Sequence, residues 1–208
     1  MNSGHEHGAP GEKPPARVFL AIGISSAVEA GVARVQKAVE QGAPAALYRF
    51  VDAAQAHVTL RFLGQRSFDE QGRIAFAAAA VARESAPFDL AFGALGVFPD
   101  ERRPHTLWMG MRQGRQEVVA LAERLTRELE RAGFPPEERP FAPHLTLARI
   151  KQRPPPGLMK RVLGFEIEAT EPMRVEHFFL MESRAGAGGV RYVPLQTFRL
   201  EDVCTPSR

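Results

Sequence analysis

From Arg17 the chain reads RVFLAIGI, an apolar run of β type that ends at Gly23 and is followed by Ser25–Ser26 and by apolar positions at helical spacing to about Gln41. This pattern predicts a strand and then a helix, with a serine hydroxyl available to accept from the free N–H groups of the first turn. Gly42–Ala43–Pro44 ends the helix, and a loop leads into YRFV and AHVTLRFL. In the second of these, alternation sends His57 and Thr59 to one face of a strand and Val58 and Leu60 to the other. An Ala-rich helix is expected from about Ser67 to Ser85, and then a strand, FDLAFGALGVF, interrupted by glycines.

The stretch 100–104 breaks the pattern at mid-chain, and then it restarts. HTLWMGM reads as a strand, and RQEVVALAERLTRELERAG, from Arg115, is the clearest amphipathic helix, closed by Gly133 with Pro135–Pro136. PHLTLARI is the next expected strand, followed by a Pro-rich segment at 153–157 and strand-like FEIEAT and VEHFFLMES. Residues 184–189 read as a hairpin turn into VRYVPLQTFRL, the last strand.

The restart is a repeat. AHVTLRF and PHLTLAR share His-x-Thr-Leu at His57 and His144, an offset of 87 positions between residues 57 and 144. The strand and helix before each copy also correspond, and aligning Phe19 with Leu107 gives an offset of 88 there. With six His, seven Thr and seventeen Leu in 208 residues, composition predicts only about 0.02 copies of the tetrapeptide, so two copies are not chance. Two related lobes about a pseudo-two-fold axis are expected, with the duplicated motifs facing each other across one cleft.

Two histidines on symmetric strands, with no third ligand at metal spacing, make a poor zinc site. They suit acid–base chemistry in which one imidazole is neutral and the other protonated near neutral pH. In-line displacement at phosphorus has that requirement. Thr59 and Thr146, each two residues after its histidine, are placed to donate to non-bridging oxygens, with Arg149 as a cationic clamp and Arg61 expected on the face of His57 and Thr59. Phe62 and Phe141 flank the motifs and read first as wall or core residues, with base stacking as the alternative. His105 and His177 have no Thr partner two residues on and read as structural; Arg102–Arg103 reads as a solvated turn.

Composition narrows the setting. The net charge of +3 is too small to announce nucleic-acid binding, and 23 of the 27 basic residues are Arg, chiefly a compositional bias. The single cysteine, Cys204, cannot form an internal disulfide or a thiolate cage. No apolar run reaches the roughly 18 residues of a membrane span, and the N-terminus lacks a signal-peptide core. A soluble cytoplasmic protein, expected to be a monomer, follows. Residues 1–15 read as a disordered extension and 16–208 as one bilobal domain, in which neither half holds a complete active site.

On these residues the chain resembles the 2H phosphoesterases, and within them the bacterial and archaeal RNA 2′,3′-cyclic phosphodiesterases, also known as 2′-5′ RNA ligase-like proteins. The resemblance rests on HVTL with RFLG (57–64) and on RPFAPHLTLAR (139–149), supported by LGVFPDERRPHTLWMG and ESRAGAGGVRY, and covers about residues 17–200. It implies an α+β fold of two antiparallel sheets lining a central cleft with helices outside, and opening of a 2′,3′-cyclic phosphate on RNA ends or nucleotides to a 2′-phosphomonoester, without metal or other cofactor. It also implies catalytic roles for His57, Thr59, His144 and Thr146, with His144 as base and His57 as acid; ligation through a 2′-5′ linkage exchanges these roles, and a binding module without turnover is the remaining alternative. The family carries a Trp and a Pro before the first motif, where this chain has RFVDAAQA (49–56), leaving Phe50 as the substitute aromatic.

Overall fold

The computed structural model describes residues 14–186 and 189–201. The expected N-terminal extension, apart from residues 14 and 15, lies outside the described residues, as do Cys204 and the tip of the last hairpin.

Strand β1 (Ala16–Gly23) is buried without a break from Val18 to Ile22, which is why its sequence is continuously apolar. Helix α1 (Ser26–Gln41) starts where Ser25 Oγ accepts from the Val28 N–H at 3.3 Å and buries Val28, Val32, Val35 and Val39 along one stripe. After β2 (Tyr48–Phe50) and a single 3-10 turn at Ala53–Gln55 comes β3 (His57–Arg66). Helix α2 (Phe68–Arg83) opens with a reciprocal capping box between Ser67 and Glu70. The second half supplies β4 (Phe88–Phe98), β5 (Thr106–Gln113), α3 (Arg115–Arg131) and β6 (Leu145–Ile150). It is followed by α4 (Leu158–Leu163), β7 (Met173–Val175), β8 (His177–Gly186) and β9 (Gly189–Arg199).

Two elements differ from the pattern read in the sequence after β6, one unanticipated and one absent. Helix α4, which buries Leu158, Met159 and Val162, is too short to show a period and sits beside a Pro-rich loop that masks it. FEIEAT is not a strand, although its alternation is real. β4 bulges on both sides of Phe92, and there Thr170 takes over the ladder: its N–H donates to Phe92 O at 2.8 Å and its Oγ1 accepts from Phe92 N at 3.0 Å. One residue, through its backbone N–H and its hydroxyl, thus replaces a strand pairing.

All pairings are antiparallel, in a four-stranded sheet ordered β3-β1-β8-β9 and a five-stranded sheet ordered β2-β6-β5-β4-β7. This is the expected α+β fold with two antiparallel sheets. The helices cross over: α1 follows β1 but packs beside β6, and α3 follows β5 but packs beside β3. β3 and β6 themselves pass within 8 Å of each other, Cα to Cα, so the two motif strands meet between the sheets.

The register corrects the repeat. In the first sheet Phe19 pairs with Phe62, Leu20 with Arg61 and Ala21 with Thr59, leaving Leu60 as a bulged extra residue. In the second, Thr106 pairs with Arg149, Leu107 with Ala148 and Trp108 with Thr146, leaving Leu147 as the bulge. Every one of these positions is related by 87, so Phe19 corresponds to Thr106 and not to Leu107, and the bulge belongs to the duplicated unit. The buried helix positions, Val28 against Val118 and Val32 against Ala122, are related by 90, because β5 runs to Gln113, three residues past Gly110, the counterpart of the end of β1 at Gly23.

Candidate active site

His57 opens β3 and His144 immediately precedes β6, and each is fixed in the same way. Nδ1 of His57 lies 2.9 Å from Gln55 O, and Nδ1 of His144 lies 2.8 Å from Ala142 O, in both cases the carbonyl two residues back. A carbonyl can only accept, so each Nδ1 carries a hydrogen and each Nε2 is the nitrogen that gains or loses a proton. Burial pushes both imidazoles below the ordinary histidine value, against the pull of these bonds. The positive charge of His144 lowers His57 further, and that of Arg149 lowers His144. Both rings therefore favour the neutral form at pH 7, and charging one makes charging the other harder.

Thr59 and Thr146 are half-buried on the histidine side of their strands, with fully buried Val58, Leu60, Leu145 and Leu147 opposite, as alternation predicts. Beyond the threonines the bulges reverse the alternation. In β6 this returns Arg149 to the His144 face, where its Nη1 donates to Thr106 Oγ1 at 2.6 Å. In β3 the same reversal overturns the placement expected for Arg61. It pairs with Leu20, is only 4% exposed on the opposite face, and donates through Nη2 to Pro135 O. Burial lowers its pKa, while Glu137 and Glu130 nearby oppose the shift. The place expected for Arg61 is taken by Phe62, 57% exposed, whose ring centroid lies 6.0 Å from that of Phe19.

Each imidazole stands against two aromatic rings that sequence reasoning had not singled out. His57 lies 5.0 Å from Phe19 of β1 and 4.6 Å, edge-on, from Tyr192 of β9. His144 lies 4.9 Å, edge-on, from Phe98 of β4 and 6.2 Å from Trp108 of β5. Trp108 also lies across its cross-strand neighbour Gly96, where a Cβ would clash with the indole, which explains one glycine that interrupts β4. The one available signal was that Trp108, the chain's sole tryptophan, sits two residues after the restart of the pattern at Thr106.

Other expected residues fall to the side. Phe141, 37% exposed in the approach to β6, makes no ring contact with either histidine among the described residues. Phe50 packs on Tyr48 at 5.4 Å, and His177 on Phe179 at 4.9 Å. The backbone N–H groups of Arg102 and Arg103 both donate to Asp100 Oδ1, which makes this a turn. No group of three or more His, Cys, Asp or Glu is placed to hold a metal ion among the described residues. In that same range no helix is long and apolar enough to cross a membrane.

A hollow of about 230 Å³ adjoins His57, bounded by Gln55, Glu29, Phe179, Met181 and Tyr192. A larger, open depression of about 450 Å³ lies over α2 between Phe68, Arg73 and Phe76, but it contains no acid–base pair. The site therefore combines two oriented imidazoles, two threonine hydroxyls, one arginine and an aromatic-walled hollow.

Residues 23–187 match the family model of the 2′-5′ RNA ligase superfamily. The chain is 29% identical over 186 residues to the RNA 2′,3′-cyclic phosphodiesterase of Methanothermobacter thermautotrophicus, covering 88% of this chain and 98% of that protein. Among solved structures it is similar to TT0787 of Thermus thermophilus, with a TM-score of 0.73 and 28% identity over 88% of this chain and 97% of that one. It is also similar to Escherichia coli LigT complexed with 3′-AMP, with a TM-score of 0.70 and 27% identity over 89% and 98% of the two chains.

Proposed function

Because the chain belongs to the 2′-5′ RNA ligase superfamily, we propose that it hydrolyses 2′,3′-cyclic phosphate ends of RNA or nucleotides to 2′-phosphomonoesters, with His57 and His144 as the acid–base pair. The observation that carries this reading is the duplicated anchoring of the imidazoles: two Nδ1–H groups tied to equivalent carbonyls leave two Nε2 atoms as the titrating nitrogens of one cleft. The relatives' activity on RNA 2′,3′-cyclic phosphates and the 3′-AMP complex of LigT support the substrate class.

In this mechanism neutral His144 Nε2 takes a proton from water, and the water oxygen bonds to phosphorus. The bond from phosphorus to the 3′ oxygen breaks in line, and His57 Nε2–H delivers its proton to that oxygen. Thr59, Thr146 and Arg149 meet the charge that accumulates on the non-bridging oxygens. Proton exchange with solvent then resets the pair. Ligation uses the same groups in reverse, but water at high concentration favours hydrolysis. A cytoplasmic monomer is the form in which this reading places the reaction.

The test is incubation with 2′,3′-cyclic nucleotides and with a cyclic-phosphate-ended oligonucleotide in chelator, with the product identified by phosphorus NMR. A 2′-phosphomonoester is expected. A 3′-phosphate would reverse the leaving group, and loss of turnover in chelator would overturn the metal-independent mechanism.

A further inference from the structure

The two histidines share an anchor but differ in what holds the anchor. The carbonyl under His57 belongs to Gln55, and the equivalent carbonyl under His144, 87 positions on, belongs to Ala142. Alanine has nothing to offer beyond its backbone. Gln55 does: its side-chain Oε1 accepts the Tyr192 N–H at 2.8 Å, across 137 residues of chain.

That bond has a structural cause. Among the described residues β9 is an edge strand, paired only with β8, so N–H groups on its outer side have no ladder partner there. β3 is the opposite edge of the same sheet. In a flat sheet with strands about 4.8 Å apart, three steps would separate the two backbones by about 14 Å. Yet the Tyr192 ring lies 4.6 Å from His57 and 5.2 Å from Phe19, so the sheet curls its far edge back over the first histidine. Gln55 joins the two edges at that place, by side chain to β9 and by backbone to the imidazole.

We propose that Gln55 is a positioning residue for His57: it latches β9 to the turn before β3 and so holds the Tyr192 wall and the Nδ1 anchor in one fixed relation. His144 has no such latch. Its walls, Phe98 and Trp108, come from adjacent strands β4 and β5, which their own ladder already fixes. The first histidine needs the latch because half of its wall comes from a non-adjacent strand.

The consequences follow from burial. His57 faces the Gln55 carbonyl at Nδ1, His144 across the cleft, Glu29 of α1 at the rim of the hollow, and the enclosing rings of Phe19 and Tyr192; burial lowers its pKa most, the Gln55 bond raises it, and the charge of His144 lowers it further. Freeing β9 admits water to His57 alone. Because burial lowers His57 more than the Gln55 bond raises it, the His57 titration then moves up toward the ordinary histidine value even if that bond weakens, while that of His144 stays in place. The rate effect rests on the catalytic reading above; the titration effect does not.

Gln55→Met keeps the side-chain length and removes the acceptor. In the substrate-free protein, NMR titration is expected to show the His57 midpoint raised and the His144 midpoint unchanged, with faster exchange of the Tyr192 amide. Gln55→Glu, which retains an acceptor oxygen, is expected to restore slow exchange at Tyr192. Turnover of a 2′,3′-cyclic nucleotide by Gln55→Met is expected to fall roughly tenfold in kcat with little change in KM, as for an imidazole displaced by a fraction of an ångström. Equal shifts of both histidines, or no shift of His57, would overturn the proposal. If Gln55→Met does not fold, the unsubstituted protein decides: slow exchange at Tyr192 supports the latch, and exchange as fast as an open edge amide refutes it.

Discussion

The strands that carry the two histidines are one design used twice, and they diverge in what surrounds each imidazole. Both have a histidine tied through Nδ1 to the carbonyl two residues back, a threonine two residues on, and a bulge at Leu60 or Leu147. At the position after the reversal, one carries Phe62 and the other Arg149. Around the rings, His57 has Phe19, Tyr192 and the hollow bounded by Phe179 and Met181 with Glu29 at its rim, while His144 has Phe98, Trp108 and the charge of Arg149. In the proposed mechanism duplication supplies the acid–base pair, and the unlike surroundings supply its polarity. On that proposal the side carrying Arg149 takes the phosphate oxygens and attacking water, and the side carrying Phe62 and the hollow takes the sugar and base.

The largest expected effect removes what the halves share. His57→Ala and His144→Ala should each lower kcat by on the order of 10³-fold, within the usual range for a lost general acid or base, and the double variant should lose little more, because either loss breaks the relay. Steady-state kinetics on a 2′,3′-cyclic nucleotide decide this; a single variant that keeps full activity would sink the two-histidine scheme. The next effect breaks what differs. Arg149→Ala should cost about 10- to 100-fold in kcat/KM, the worth of a charge-assisted hydrogen bond to phosphate, whereas Phe62→Ala should cost about fivefold, the low end of a stacking contact. Equal losses would mean that the halves are not polarised.

A smaller effect appears in the pH dependence. With one imidazole neutral and the other protonated, kcat/KM should follow a bell set by the two histidines of the free enzyme. Both are pushed below their ordinary value of 6.5, chiefly by burial, so the maximum should lie on the acid side of that value. The same shifts tie stability to pH. A histidine whose folded pKa is below its unfolded one contributes stability that is complete above the unfolded value and is lost as pH falls through the folded one. Thermal melts should therefore decline from about pH 6.5 downward, and His144→Ala should flatten part of that decline.

Much of this was legible in the sequence, because the signals were local. His57, Thr59, His144 and Thr146 share a tetrapeptide whose alternation places them, and Ser25 caps its helix as expected. What stayed hidden was either non-local or unmarked. Tyr192 reaches His57 from three strands away, and no spacing along the chain encodes the curl that brings it there. The bulges at Leu60 and Leu147 have no residue signature, since leucine serves as well in a regular strand. A one-residue insertion reverses every later side chain, so regular alternation puts Arg61 on the wrong face; the β1 repeat, where two apolar runs can be matched at 87 or 88, is fixed only by the cross-strand register.

Arg61 gives the finest test, with the smallest expected effect on rate. It follows His57 by four residues, and regular alternation would make it a phosphate ligand. The bulge instead buries it under the loop after α3, where it donates to Pro135 O, while the neighbouring Phe62 N–H donates to Glu137 Oε1 at 2.9 Å. These two bonds fasten residues 135–137 to β3. Arg61→Ala should leave Pro135 O without its donor and open a void, at a cost of about 2 kcal/mol in stability, visible as a lowered Tm. Its kcat/KM, measured well below that Tm, should stay within about twofold of the unsubstituted protein, since no Arg61 donor faces the cleft. Arg149→Ala should behave in the opposite way, losing rate while melting almost normally, because that side chain is exposed. If Arg61→Ala instead loses as much rate as Arg149→Ala at unchanged Tm, the bulge does not reverse the strand in solution, and Arg61 is a phosphate ligand after all.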